Sequence, residues 1–270
     1  MTLDRINTHG MVLMGCGKMG SALLAGWLAQ GVPATSVHVV EPHPSDWLRA
    51  SGVCLNEPLP DAPAVVVLAV KPQMMGNALP ALQTFGNGKT LFLSIAAGTQ
   101  LARFNEILGA QTPIIRAMPN IPAAVGQGIS ALIGNDKASE QDIALAEELL
   151  AAVGQTVRLE DESQIDSVTG LSGSGPAYVF HMIEAMARAG ESQGLSPDLA
   201  MKLARATVIG AAALARDTTD SAEQLRINVT SPGGTTAAAL ALLMDETDGL
   251  PPLMVRAVRA AADRSRELAK

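Results

Sequence analysis

MVLMGCGKMGSALLAGWL, residues 11–28, decides the fold. Four apolar residues (11–14) run into Gly15-Cys16-Gly17-Lys18-Met19-Gly20, and helix formers follow from Ser21 to Gln30. Strand, G-x-G-x-x-G, helix is the context in which this fingerprint binds a dinucleotide. The first glycine allows the tight turn, the second leaves room for a pyrophosphate, and the third lets helix and strand pack closely. The phosphates then sit at the helix N-terminus, where unsatisfied N–H groups and the dipole favour anions. The bland alternative is a tight strand-to-helix turn with no ligand. Cys16 is read as a small side chain in a crowded turn, with no redox role.

The same alternation continues outward. Residues 37–40 (VHVV), 64–70 (AVVVLAV), 90–95 (TLFLSI) and 113–116 (PIIR) read as strands, with helical stretches between them. In residues 64–70 apolar side chains occupy both parities, as in a strand covered on both faces. Residues 129–133 and 156–159 are further strand candidates, with a helix over 140–153 between them. Strands alternating with helices imply parallel pairing and right-handed crossovers. Glu41 lies 21 residues beyond Gly20, near the spacing at which an acid accepts from a ribose 2′-OH and repels a 2′-phosphate. That tilts the reading towards NADH, with His43 close enough to offset it; the alternative is a solvated loop carboxylate. Ala69-Val70-Lys71-Pro72, Ala96-Ala97-Gly98 and Met118-Pro119-Asn120 follow successive strands, where a doubly wound sheet binds ligands. Lys71 is either a contact to polar cofactor groups or an ordinary surface lysine.

From about residue 161 the strand signals fade. Helices are expected over 176–189, from Ser196-Pro197 to about Arg216, over 235–244 and over 252–269. Ser196 is the expected N-cap before Pro197, and Ser221 to Gln224 has the capping-box form. Two Gly-rich patches punctuate this half: Gly170-Leu171-Ser172-Gly173-Ser174-Gly175-Pro176 and Asn228-Val229-Thr230-Ser231-Pro232-Gly233-Gly234-Thr235-Thr236. The second offers backbone N–H groups at a helix start, with the Ser231, Thr235 and Thr236 hydroxyls beside them. It is either a nest for a carboxylate or phosphate or ordinary capping.

Composition removes several classes. Of 270 residues, 19 are Lys or Arg and 26 are Asp or Glu, a net charge of −7, with only 3% aromatics. No cationic footprint or base-stacking platform for nucleic acid is expected. Cys16 and Cys54 are the two cysteines, too few for a disulfide framework and not spaced for a metal, so no metal site and a reducing cytoplasmic setting are expected. The opening MTLDRINTHG lacks a signal-peptide pattern, and the apolar run at 64–70 is far short of a membrane span. The four histidines, His9, His38, His43 and His181, suggest no proton relay. Chemistry that needs little side-chain acid–base work, such as hydride transfer to an activated C=N bond, fits that inventory.

The ordered set GCGKMG (15–20), AVKP (69–72), AAG (96–98), MPN (118–120), IDSVTGLSGSGPAY (165–178) and NVTSPGGTT (228–236) resembles the pyrroline-5-carboxylate reductase family. The resemblance implies an α/β protein. A Rossmann-type, mostly parallel sheet domain (1–160) is followed by an all-helical dimerisation and substrate domain (161–270). It implies reduction of 1-pyrroline-5-carboxylate, a cyclic imino acid, to L-proline with NADPH or NADH, in a homodimer or a larger ring of dimers. It implies an active site between the cofactor domain and the helical domains of that dimer. It also implies that Gly15, Cys16, Gly17, Lys18, Met19, Gly20, Asn56, Ala69, Val70, Lys71, Pro72, Ala97, Gly98 and Asn228 contact the cofactor. Ser231, Gly234, Thr235 and Thr236 would hold the substrate, with Glu162 on the substrate side and Thr236 hydrogen-bonding the ring nitrogen. Glu41 departs from the Ser, Thr or basic residue often found there in NADPH users.

Three rivals remain. A β-hydroxyacid dehydrogenase resembles G-x-x-G-x-G-x-x-x-K at its helical start. Gly170, Gly173 and Gly175 match, but Val179 stands at the lysine position and Ile183 where an asparagine is expected. A nucleotide sensor would bind NAD(P)H without turnover. A purely structural helical assembly leaves both Gly-rich patches unexplained.

Overall fold

The computed structural model describes residues 2–268, with the side chains of residues 2, 3 and 72 outside that description. The chain forms two compact units. One comprises everything up to Gly173 together with the last segment from Ala261; the other is Ser174–Ala260.

The first unit runs α1 (Thr2–His9), β1 (Met11–Met14), α2 (Lys18–Ala29), β2 (Val37–Val40), α3 (Asp46–Ala50), β3 (Cys54–Leu55), β4 (Val65–Leu68), α4 (Met75–Ala78), β5 (Leu91–Ser94), α5 (Leu101–Leu108), β6 (Ile114–Met118), β7 (Gly128–Gly134), α6 (Glu140–Ala151), β8 (Gly154–Arg158) and α7 (Gln164–Val168). Its eight strands form one sheet in the order β3-β2-β1-β4-β5-β6-β7-β8. The first six are parallel; β7 runs antiparallel to β6, and β8 parallel to β7. Leu13 pairs in register with Val39 on one side and Val67 on the other. The mostly parallel doubly wound sheet expected from the alternation is therefore present.

Side-chain alternation explains why these strands are apolar throughout. Leu13, Val39, Val65 and Val67 pack against Leu23, Trp27 and Leu149 of α2 and α6. Val12, Val66, Leu68 and Phe92 point the other way, onto Leu79, Leu82 and Phe104. The Trp27 indole N–H donates to the Leu149 carbonyl at 2.8 Å, so this large buried ring leaves no polar atom stranded.

Several local expectations need correction. The strands expected at 64–70 and 90–95 are trimmed to four residues each, and the last strand begins at Gly154 rather than 156. The helix expected between β4 and β5 is broken into single turns at 72–74, 75–78 and 80–85, because Pro80 has no N–H to continue it. The segment before β1 is helix α1, anchored by buried Ile6 and by Arg5, which pairs with Asp142 of α6 at 3.1 Å.

After α7 comes one π-helical stretch, Thr169–Gly173, then α8 (Gly175–Ser192), α9 (Pro197–Arg216), α10 (Ala222–Asn228), α11 (Thr235–Leu243) and α12 (Leu250–Leu268). The expected end of the last helix at Ala269 lies outside the described residues. In the second unit α8 and α9 meet through Ala187, Ala200 and Ala204 with Ile183. A Cβ on Gly190 would lie only 3.2 Å from the Ala200 Cβ, so small residues set how closely these helices approach. Ser196 occupies the N-cap position of α9 without a side-chain cap bond. The Ser221 hydroxyl accepts from the Gln224 N–H at 3.1 Å, but Gln224 Nε2 donates forward to Asn228 Oδ1 at 2.8 Å, so the box is half formed. None of the described helices is long and apolar enough to cross a membrane.

Candidate active site

β1 and β4 are neighbours on which the chain winds in opposite directions, and ligands bind at the carboxyl ends of such strands. Gly15 leaves β1 with φ +90°, and its N–H donates to the Val40 carbonyl at 2.9 Å. A Cβ on Gly20 would lie 2.5 Å from the Gly15 carbonyl oxygen, whereas one on Gly17 would meet no atom within 4 Å. The third glycine therefore serves packing and the second opens onto unfilled space. Gly17 is the N-cap of α2 and supplies no side-chain cap, so the first N–H groups of that helix are available to an anion. Lys18 beside them is exposed and Met19 half-buried. An open cradle and an uncapped helix start fit the pyrophosphate of a nicotinamide dinucleotide.

Glu41 follows β2 and reaches back into this loop. Its Oε2 accepts from the Cys16 N–H at 2.8 Å and its Oε1 from the His43 N–H at 3.0 Å. Asn56 brackets it: the Glu41 N–H donates to Asn56 Oδ1 at 2.9 Å, and Asn56 Nδ2 donates to the Glu41 carbonyl at 3.0 Å. The structure thus places Asn56 as a support for Glu41. Burial, and secondarily the Glu41 charge, pushes the Cys16 thiol up to about 11.

Ala69 and Val70, half-buried, and exposed Lys71 follow β4; the side chain of Pro72 lies outside the described residues. Ala97 and Gly98 follow β5, and Gly98 takes φ +80°. Asn120 follows β6, accepting from the Ile129 N–H at 3.0 Å and donating to the Ser172 carbonyl at 3.2 Å. The sheet order brings these strand ends together along one edge with the glycine loop.

Glu162 has structural partners in the first unit. Its Oε1 accepts from Arg116 Nη1 at 2.6 Å and from the Leu101 N–H, the first of α5, at 2.8 Å. The Arg116 side chain is 4% exposed and that of Glu162 28%; Arg116 Nε is buried with no hydrogen-bond partner. Sequence reasoning misses Arg116, although an arginine inside the apolar run PIIR is its signal.

In the second unit, residues 228–236 join α10 to α11. The Gly234 N–H donates to the Ser231 carbonyl at 3.1 Å, Gly233 takes φ +69°, and the Thr230 hydroxyl donates to the Arg226 carbonyl at 2.6 Å. A Cβ on Gly234 would lie 2.4 Å from Ser231 Oγ, so that hydroxyl sits directly over the glycine. Gly234 is the N-cap of α11 and gives no side-chain cap. The start of α11 is therefore a second helix N-terminus open to an anion, flanked by Ser231, exposed Thr235 and half-buried Thr236. Asn228 Oδ1 is occupied by Gln224. Among the described residues, no group of three or more His, Cys, Asp or Glu could hold a metal.

A doubly wound sheet with an open glycine loop, followed by a helical unit, defines a dinucleotide-dependent oxidoreductase of the Rossmann class. Residues 162–268 match the family model for pyrroline-5-carboxylate reductase dimerisation, and residues 11–98 match that for NADP oxidoreductase, coenzyme F420-dependent. The chain is 40% identical to a pyrroline-5-carboxylate reductase of Pseudomonas aeruginosa, covering 98% of both chains. It is similar to the solved pyrroline-5-carboxylate reductase of Coxiella burnetii at TM-score 0.91 and 35% identity, covering 98% of this chain and 100% of that one. It is also similar to the Plasmodium falciparum pyrroline carboxylate reductase solved with NADP bound, at TM-score 0.82 and 27% identity, covering 97% and 98%. The chain belongs to the pyrroline-5-carboxylate reductase family.

Proposed function

We propose that this chain reduces 1-pyrroline-5-carboxylate to L-proline with NADH or NADPH, the last step of proline synthesis. Within that family assignment, one observation carries the choice of site residues: the start of α11, uncapped by any side chain and ringed by hydroxyls. Its N–H groups and dipole suit the substrate carboxylate. Ser231, Gly234 and Thr235 hold that carboxylate, and Thr236 donates a hydrogen bond to the ring nitrogen. Nicotinamide, when bound, supplies the hydride. Thr236 donates to the neutral imine; once water has delivered a proton to that nitrogen the carbon is more electrophilic, and the iminium N–H donates to the Thr236 hydroxyl oxygen instead. The loop 15–20 and the strand-end residues Ala69, Val70, Lys71, Pro72, Ala97 and Gly98 hold the dinucleotide, with Asn228 on the nicotinamide side. Glu162 supports the substrate side indirectly, by fixing Arg116 and the start of α5.

The functional division falls near residue 160, after the last strand ends at Arg158. Copies of the chain pair through the helical domain, and such pairs assemble further into a ring in the cytoplasm. The exposed Val179, Phe180, Ile209 and Leu214 support the pairing.

The test is an initial-rate assay of nicotinamide oxidation with the cyclic imine. Imine-dependent oxidation is expected with at least one dinucleotide. Dinucleotide binding without imine-dependent oxidation would favour the sensor. Activity on 3-hydroxy acids alone would favour the dehydrogenase.

A further inference from the structure

Glu41 is held more firmly than its spacing in the sequence requires. Both carboxylate oxygens accept backbone N–H bonds, one from the fingerprint loop itself and one from His43. Its own N–H and carbonyl are both tied to the Asn56 amide. Asn56 takes φ +53°, a conformation asparagine tolerates better than most residues, and its N–H donates to the Val39 carbonyl at 2.8 Å. Among the described residues, Glu41 forms no ion pair with Lys, Arg or His. The charge-bearing residues near it in the chain are exposed His43, Asp46 and Arg49 on the β2–α3 side and exposed Glu57 beyond β3.

The carboxyl end of the second strand is where a doubly wound sheet reads the adenosine ribose. A carboxylate there accepts from a 2′-OH. A 2′-phosphate brings a second anion to the same place. A mobile glutamate could swing aside, but this one would have to give up two charge-assisted bonds to do so.

We infer that Glu41, braced by the Cys16 and His43 amides and by Asn56, makes this protein select NADH over NADPH. The inference rests on the proposed function only in that a nicotinamide dinucleotide occupies the loop 15–20. Two like charges a few ångströms apart near a protein surface cost about a tenfold to hundredfold factor in binding.

Calorimetric titration of the intact oligomer with NADH and with NADPH, without imine, tests it. The unaltered protein should bind NADH about tenfold tighter or more. Glu41→Gln, which keeps the shape and removes the charge, should shrink that ratio about tenfold, mainly by tightening NADPH. Equal or tighter NADPH binding by the unaltered protein would overturn the inference, and so would an unchanged ratio in Glu41→Gln. Should that variant fail to fold, competition on the unaltered protein decides. AMP should displace NADH more strongly than adenosine 2′,5′-bisphosphate, and the reverse order would contradict the inference. If neither dinucleotide binds, the loop reading and the inference fall together. Selective NADH binding without imine turnover would overturn the activity and leave the inference standing.

Discussion

In the first unit the largest apolar side chains are inside: Trp27, Phe92 and Phe104 are fully buried between sheet and helices. In the second, Phe180, Ile209, Leu214 and Leu242 stand exposed, and the buried apolar side chains are three alanines, Ala187, Ala200 and Ala204. Burying a Leu, Ile or Phe contributes about 1.5–3 kcal/mol each. One unit has used that source of stability within its own chain, whereas the other leaves these side chains exposed, as expected if copies of the chain pair there. Large apolar side chains exposed in this number are the mark of an interaction site, and the model matched over residues 162–268 is one of dimerisation.

The largest effect expected is at these exposed side chains. Ile209→Glu with Leu214→Glu should abolish assembly and lower imine reduction by about a hundredfold or more, since lone buried carboxylates are strongly disfavoured in an interface. Light scattering checks the mass. Val157→Glu, an equally drastic change at an exposed position on β8 of the first unit, should leave the mass unaltered. Equal effects in both would erase the contrast. Within the first unit, Gly20→Val should cost about 3 kcal/mol through overpacking against the Gly15 carbonyl. Gly17→Val should leave the melting temperature nearly unchanged while weakening dinucleotide binding.

Glu162→Gln leaves the Arg116 guanidinium buried beside a neutral partner and should cost about 3 kcal/mol by urea unfolding. Adding Arg116→Met should recover part of that loss. Thr236→Ala in the second unit should lower kcat about tenfold to hundredfold with NADH affinity held within about twofold. Unchanged kinetics would remove Thr236 from the chemistry. The smallest effect is at Cys16. With its thiol pushed up to about 11 from 9.0, the unfolded chain loses that proton first. Its contribution is therefore fully present below pH 9 and fades as pH rises towards 11. The pH dependence of iodoacetamide labelling should show a midpoint near 11.

Legibility in the sequence divides on another line, between local patterns and contacts that only the folded chain makes. The turn from β1 into α2, the two-faced strand β4 and the Gly-rich start of α11 are readable because each is a local pattern. Helix α1 escapes such a reading because Ile6 is the one buried residue among its described side chains and, apart from Leu3 and Ile6, the segment is polar. Strand β3 is two residues long, too short for any period. The Arg116–Glu162 pair joins positions 46 apart in the chain, and no local spacing encodes such a meeting. Spacing does put Glu41 at the end of β2, but the capture of both its oxygens by backbone amides depends on the folded turn.

The most direct test of the reductase assignment uses NADH carrying deuterium at both C4 positions, supplied with the cyclic imine. The account predicts proline labelled at the former imine carbon, the C5 position, with one deuterium per dinucleotide oxidised. Oxidation that yields unlabelled proline, or none, would contradict direct hydride delivery and with it the roles of the glycine loop and the α11 nest.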